Sequence, residues 1–335
     1  MTAQDIAVIG AGSYGSCLAM LFGRAGHRVC LWARNAETAA AMEQSRETSY
    51  LPGHKLPDSI TVTSDLEGAV KGKKFIVGVT PSHGIREVLG QAAQWMDPDA
   101  IVINASKGLE DGTLMTIDRV YAEIFPKQIA ERATYLSGPT FATEIAAGLP
   151  AAIVLAGRDA ATLLAAQEAL TALHFRIYRS DDVMGVLMGG ALKNVIAIGA
   201  GISDGLGFGS NTRVALMTRG LAEITRIGVA MGANPLTFAG LSGMGDLVLT
   251  CSGDASRNRR VGLALGQGKK MAEILGEMRQ VAEGVKTAKV AKELAQQIGV
   301  DAPIVDAMHA IIHEGLSVRD VISRLLTRPA RSERD

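Results

Sequence analysis

No excess of charge of either sign is present: 34 lysines and arginines balance 34 aspartates and glutamates. Nucleic-acid binding leans on a basic surface, so a general polyanion partner is excluded, and any bound anion should be small and met by local charge. Cysteine is scarce. Cys17, Cys30 and Cys251 are odd in number and no two share a metal-type spacing, so no metal is expected and a reducing, cytoplasmic setting is. The opening "MTAQDIAVIGAG" has no basic region and is interrupted by Asp5, so no signal peptide is expected. Internal repeats and low-complexity tracts are also missing.

Apolar mass is abundant. Of 335 residues 47% are hydrophobic, enough for a sizeable core and, at about 150 residues per domain, for two domains. "IAVIG" (6–10), "RVCLWA" (28–33), "FIVGVT" (75–80), "AIVINA" (100–105), "TYLSG" (134–138), "AAIVLA" (151–156) and "FRIYR" (175–179) read as strands. Helical patterns stand between them at 16–25, from 36 onward, and up to 173. Continuous apolar strands separated by helices predict a Rossmann-type, mostly parallel sheet covered on both faces. Two prolines and a glycine mark 49–60 as a loop. From 182 to about 326 apolar residues recur at helical spacing and no strand is expected. The expected organisation is a dinucleotide-binding domain over 1–180, an all-α substrate and catalytic domain over 181–327, and a loose polar tail over 328–335.

"GAGSYG" places Gly10, Gly12 and Gly15 in G-x-G-x-x-G spacing, directly after a strand and opening a helix. Gly10 allows the tight turn, Gly12 lets a pyrophosphate approach the backbone, and Gly15 lets helix and strand pack. The anion then meets a helix N-terminus. An NAD-preferring site carries an acid at the end of the second strand. Here the chain reads "LWARN", with Arg34 and no carboxylate. Arg34 is therefore expected to face a 2′-phosphate, with NADP(H) slightly favoured over NAD(H); the bland alternative is an exposed surface arginine.

"VLMGGALKNVIAIGAG" (186–201) carries a single charge, Lys193, followed by Asn194. The surrounding 183–203 is long enough to span a bilayer. A central lysine costs about 2.5–3.5 kcal/mol there, and five glycines and flanking Asp181, Asp182 and Asp204 also oppose a span. A buried core helix is expected instead. Burial lowers a lysine pKa and a nearby carboxylate raises it, which is how a lysine becomes an acid near neutral pH. Asp246 is the candidate carboxylate. Gly189, Gly190 and Ala197 share the face of Lys193 and are expected to leave room for substrate; the alternative is a lysine that snorkels to solvent. Lys107 follows the strand ending near 105, where ligands of open sheets bind. "SGMGDLVLTCSGDASRNRRVG" (242–262) gathers hydroxyl, amide and guanidinium groups suited to a phosphate.

With "GAGSYG", "ASKGLE", "LSGPTFATEIAAGLPAA", "LKNVIAIGAGISDGLGFGSNTRVALMTRGLAE", "GLSGMGDLVLTCSGDASRNRRVG" and "VAEGVKTA" in order over nearly its full length, the chain resembles the soluble NAD(P)-dependent glycerol-3-phosphate dehydrogenases of bacteria. The resemblance implies reversible reduction of dihydroxyacetone phosphate to sn-glycerol 3-phosphate, feeding phospholipid synthesis, by a cytoplasmic homodimer. It implies Lys193 as the proton donor, with Lys107, Asp246, Asn194 and Thr250 in the catalytic site. Gly138, Thr140, Ser256, Arg257 and Asn258 join Lys107, Lys193 and Asp246 on the substrate. Ser13, Tyr14, Arg34, Lys107, Ala142, Arg257 and Glu283 join the fingerprint glycines on the cofactor.

Three other readings stay open on the residues. A 3-hydroxyacid or 6-phosphogluconate dehydrogenase also pairs a Rossmann domain with a helical one, but sets its lysine and asparagine four apart, where this chain has Ala197. A thiol mechanism would use Cys251. A non-catalytic NADP(H) sensor would bind cofactor without turnover.

Overall fold

The computed structural model describes residues 2–278, 282–330 and 332–333. Of the expected tail, residues 331, 334 and 335 lie outside these, as does the first residue of "VAEGVKTA". Eight strands form one sheet: β1 (Asp5–Ile9), β2 (Arg28–Trp32), β3 (Ile60–Thr63), β4 (Phe75–Gly78), β5 (Ile101–Asn104), β6 (Thr134–Ser137), β7 (Ala151–Gly157) and β8 (Phe175–Ser180). Their order is β3-β2-β1-β4-β5-β6-β7-β8. β1 to β6 run parallel, and order reverses between β1 and β4, the switch point at which such sheets bind ligands. β7 runs against β6, pairing Ser137 with Val154, and β8 follows β7 in parallel.

Seven of the strands coincide with the stretches read as strands, six of them apolar runs and β8 an alternating one. β3 is the exception. It begins at Ile60, the last residue of the expected loop, and its four residues "ITVT" pair in register with β2, Val29 opposite Ile60. The remainder of that loop is anchored by Leu51 and Leu56, which are buried in the core on one sheet face. The fingerprint helix starts at Ser13, three residues earlier than expected, because the glycine turn itself enters the first helical turn.

Among the described residues no strand follows Ser180. The Val183–Gly205 helix is the axis of this half. It alone among the described helices is long and apolar enough to cross a membrane, and 94% of its most apolar window is buried inside the protein. Val183, Val186 and Leu187 belong to the core on the second sheet face, whereas Met188 through Ile202 anchor the helical core. One helix thus fastens the two halves together. Its glycines also let a second helix of the helical half pack close against it. A methyl group on Gly201 would overlap the carbonyl oxygen of Arg259, and one on Gly262 that of Ile198. Gly201 and Gly205 on one helix face Gly262 and Gly266 on the Arg257–Gly266 helix, so two backbones meet at small-xxx-small spacing.

Candidate active site

A cavity of about 840 Å³ lies over the carboxyl ends of β1, β2, β4 and β5 and reaches the Val183–Gly205 helix. Gly10 has φ +124°, and a methyl group there would lie 2.8 Å from the Val79 carbonyl oxygen. One on Gly15 would overlap the Gly10 carbonyl oxygen, so strand and helix are in direct backbone contact. A methyl on Gly12 would instead meet nothing within 4 Å, because that position faces the cavity. The Ser13–Arg24 helix has no side-chain cap and no acid in its first turn. Its free N–H groups and positive end are open to an anion from the cavity. These features fit a dinucleotide pyrophosphate.

Around this turn, Tyr14 and Thr140 join their hydroxyls at 3.0 Å. Ala142 opens a short helix on the same wall. Glu283, first residue of the Glu283–Gln297 helix, accepts from Ser82 Oγ at 3.0 Å and faces Arg257. Burial lowers the Arg257 guanidinium pKa, and Glu283 opposes the shift. Arg34 lines the cavity just past the end of β2.

Two lysines from different halves meet on one carboxylate. Lys193 Nζ donates to Asp246 Oδ1 at 2.5 Å and to Thr250 Oγ1 at 2.7 Å. Lys107 Nζ donates to Asp246 Oδ2 at 2.6 Å and to the Gly138 carbonyl at 3.0 Å. The side chains of Lys193, Lys107 and Asp246 are 8%, 15% and 1% exposed. Burial brings Lys193 down to about 8; Asp246 pulls it up and Lys107 pushes it further down. The Asp246–Ser252 helix is entered through a five-residue π-helical segment, Leu241–Gly245, so Asp246 sits at a break in the regular ladder.

Asn194 does not bond its neighbour Lys193. Its Oδ1 accepts from Asn258 Nδ2 at 2.9 Å, while Asn258 Oδ1 accepts from the Gly284 N–H at 2.9 Å. Ser256 caps the Arg257–Gly266 helix by accepting from the Arg259 N–H at 3.2 Å, which leaves its hydroxyl proton free to donate.

All the sequence-predicted site residues line the cavity except two. Gly138 and Asp246 touch the lysines that do line it. Both Asp246 oxygens accept from lysine ammonium groups. The space expected beside the lysine is corrected. The position a methyl would take on Gly189 is filled by the Ser242 backbone, and on Gly190 by Ser137 Oγ with the Lys107 stem beyond. The glycines admit protein, not substrate. Cys251 is buried, and burial pushes its thiol up to about 12, which removes the thiolate a thiol mechanism needs. Residues that sequence reasoning missed include Ser82, His83 and Glu87, all just after β4. Their signal was available, since ligands sit beyond strand ends.

Two family models match in tandem: the N-terminal domain of NAD-dependent glycerol-3-phosphate dehydrogenase over residues 5–163 and its C-terminal domain over 182–323. The chain is 51% identical to glycerol-3-phosphate dehydrogenase (NAD(P)+) of Citrifermentans bemidjiense over 332 residues, 99% of each chain. It is 52% identical to the protein of the same name from Geobacter sulfurreducens, again over 99% of each. The crystal structure of glycerol-3-phosphate dehydrogenase from Coxiella burnetii superposes with a TM-score of 0.93 at 36% identity, covering 97% of this chain and 99% of that one. The chain belongs to the NAD-dependent glycerol-3-phosphate dehydrogenase family.

Proposed function

We propose that this protein reversibly reduces dihydroxyacetone phosphate to sn-glycerol 3-phosphate with NAD(P)H, with Lys193 as the general acid. The observation that carries the reading is a buried lysine on the wall of the fingerprint cavity, its Nζ held by Asp246 and Thr250 and its pKa brought to about 8. When bound, the reduced nicotinamide supplies the hydride. Lys193 Nζ holds the proton that the ketone oxygen takes as charge builds on it, a contribution of typically ~10²–10⁴-fold. Asp246 and Thr250 are positioning residues: they fix Nζ and offset part of the cost of burying it. Lys107, held by Asp246 and Gly138, brings a second positive charge to the same wall.

Asn194, with its Oδ1 held by Asn258, keeps its Nδ2 hydrogens for the substrate. Thr140, Ser256, Arg257 and Asn258 bind the phosphate, with Arg257 shared with the cofactor. Gly10, Gly12, Ser13, Tyr14, Gly15, Ala142 and Glu283 line the dinucleotide, and Arg34 meets the adenosine end. Residues 1–180 serve as the cofactor domain and 181–327 as the substrate domain. A cytoplasmic homodimer is part of the same proposal; three buried free thiols support the reducing compartment.

NADPH oxidation with dihydroxyacetone phosphate tests the activity. Lys193→Met should lower kcat at least ~100-fold while NADPH Kd stays within ~3-fold. Turnover within a few-fold of wild type would remove Lys193 as the acid. Turnover of 3-hydroxyacids instead, or cofactor binding with no turnover, would favour the other readings.

A further inference from the structure

The adenosine end of the cavity pairs two opposed preferences. β2 ends at Trp32 and is followed by Ala33 and Arg34, with no carboxylate on that strand end. The structure supplies one from elsewhere. Glu87, in the first turn of the Ile85–Ala92 helix, accepts from Arg34 Nη2 at 3.5 Å, and both residues line the cavity. Arg34 Nη2 also lies 3.8 Å from where a methyl on Gly84 would stand, so the guanidinium spans from the end of β2 to the start of that helix. The pair is long and wet: the two side chains are 63% and 75% exposed. A pair of this kind holds weakly and opens readily.

A phosphate monoester carries about −1.5 to −2 near neutral pH, against −1 for Glu87. It therefore outcompetes Glu87 for Arg34, yet it must do so beside a carboxylate of like charge. A cofactor with a free 2′-hydroxyl leaves the pair intact and meets no such repulsion. We propose that Glu87 is a specificity-determining residue that sets the NADPH to NADH preference by competing with the 2′-phosphate for Arg34. This rests on the reading above that Arg34 meets the adenosine. The partner of Glu87 is Arg34, not Lys193 or Lys107. It acts as a brake on 2′-phosphate affinity, which keeps both cofactors usable by one site.

The test is calorimetric titration of the full chain with adenosine 2′,5′-bisphosphate and with 5′-AMP, alongside NADPH and NADH Kd by fluorescence. Glu87→Gln should tighten the bisphosphate and NADPH roughly three- to tenfold, leave 5′-AMP and NADH within about twofold, and lose most of the gain in 0.5 M salt. In the Arg34→Ala background the same change should gain less than about twofold. If Arg34→Ala weakens the bisphosphate while Glu87→Gln leaves the ratio unchanged, the role of Glu87 is overturned and that of Arg34 stands. If Glu87→Gln shifts both ligands equally, Glu87 shapes the wall only and the proposal fails. If Arg34→Ala leaves the bisphosphate unaffected, the adenosine reading of Arg34 fails and takes the proposal with it.

Discussion

Asp246→Asn removes a negative charge shared by two lysines, one buried and one partly buried. Lys193 Nζ stands 2.5 Å from one of its oxygens and Lys107 Nζ 2.6 Å from the other. With charge centres ~3.5 Å apart and an effective dielectric near ~20, each attraction is about 5 kcal/mol. Withdrawing it from Lys193 lowers the charged fraction at a given pH by ~10³-fold. In the wild type Lys193 titrates at about 8, so kcat/KM for ketone reduction should be flat at lower pH and fall as pH rises through about 8. Alcohol oxidation needs the neutral amine, so its kcat/KM should fall as pH drops through about 8. In Asp246→Asn the falling limb of reduction should begin at least ~2 pH units lower. At pH 7.5 kcat/KM should drop ~10²-fold, since the stronger acid recovers part of the lost population. The drop should be the same in both directions, because the equilibrium constant is untouched. The assay is initial-rate kinetics from pH 5.5 to 9.5, with NADPH Kd and the melting temperature as checks on folding. A limb that stays at about 8 with kcat/KM within ~5-fold of wild type would refute the electrostatic account of Lys193.

Two predictions concern the framework. Gly262→Ala drives a methyl into the Ile198 carbonyl where the two glycine-rich helices cross, and should cost about 2–3 kcal/mol, read as a lower melting temperature; a melting temperature within about 1 °C of wild type would show that the crossing yields. Glu223 is a buried carboxylate that accepts from the Ile304 N–H at 2.8 Å and the Val305 N–H at 3.2 Å, and burial lifts it to about 7 from an ordinary 4.5. A raised folded-state pKa contributes stability that is full below about 4.5 and lost as pH rises through about 7, a change of about 3 kcal/mol. Urea unfolding at pH 5 and pH 8 should therefore show a wild-type minus Glu223→Gln difference that shrinks by about 2–3 kcal/mol at the higher pH; a constant difference would sink the assignment.

The sheet was legible wherever a strand is buried on both faces, because such strands are continuous apolar runs between helices. β3 was not. "ITVT" alternates apolar residues with threonine over four positions, directly behind a proline-punctuated stretch, and only its pairing with β2 makes it a strand. The reversal at β7 was equally hidden. β6 and β7 have the apolar character of their parallel neighbours, and direction is set by the connection between them, where the one helix has five residues. Most of the candidate site was legible because glycine spacing and strand-end position are local signals. The Arg34–Glu87 pair was not, since its partners are 53 residues apart and only the fold brings them together.

The glycines of the lysine helix show why a residue type can be read correctly and its purpose wrongly. Small residues beside Lys193 suggest open space, and on an isolated helix they would leave it. In the fold the space is closed by other groups: the Ser242 carbonyl at Gly189 and the Ser137 hydroxyl at Gly190. Each contact brings protein where water would otherwise solvate the ammonium. Desolvation is the largest influence lowering Lys193. The glycines therefore serve the chemistry through dryness. A larger residue at any of these positions would push its neighbour away and let water in. That would raise the pKa of Lys193 toward that of a solvated lysine and weaken it as an acid.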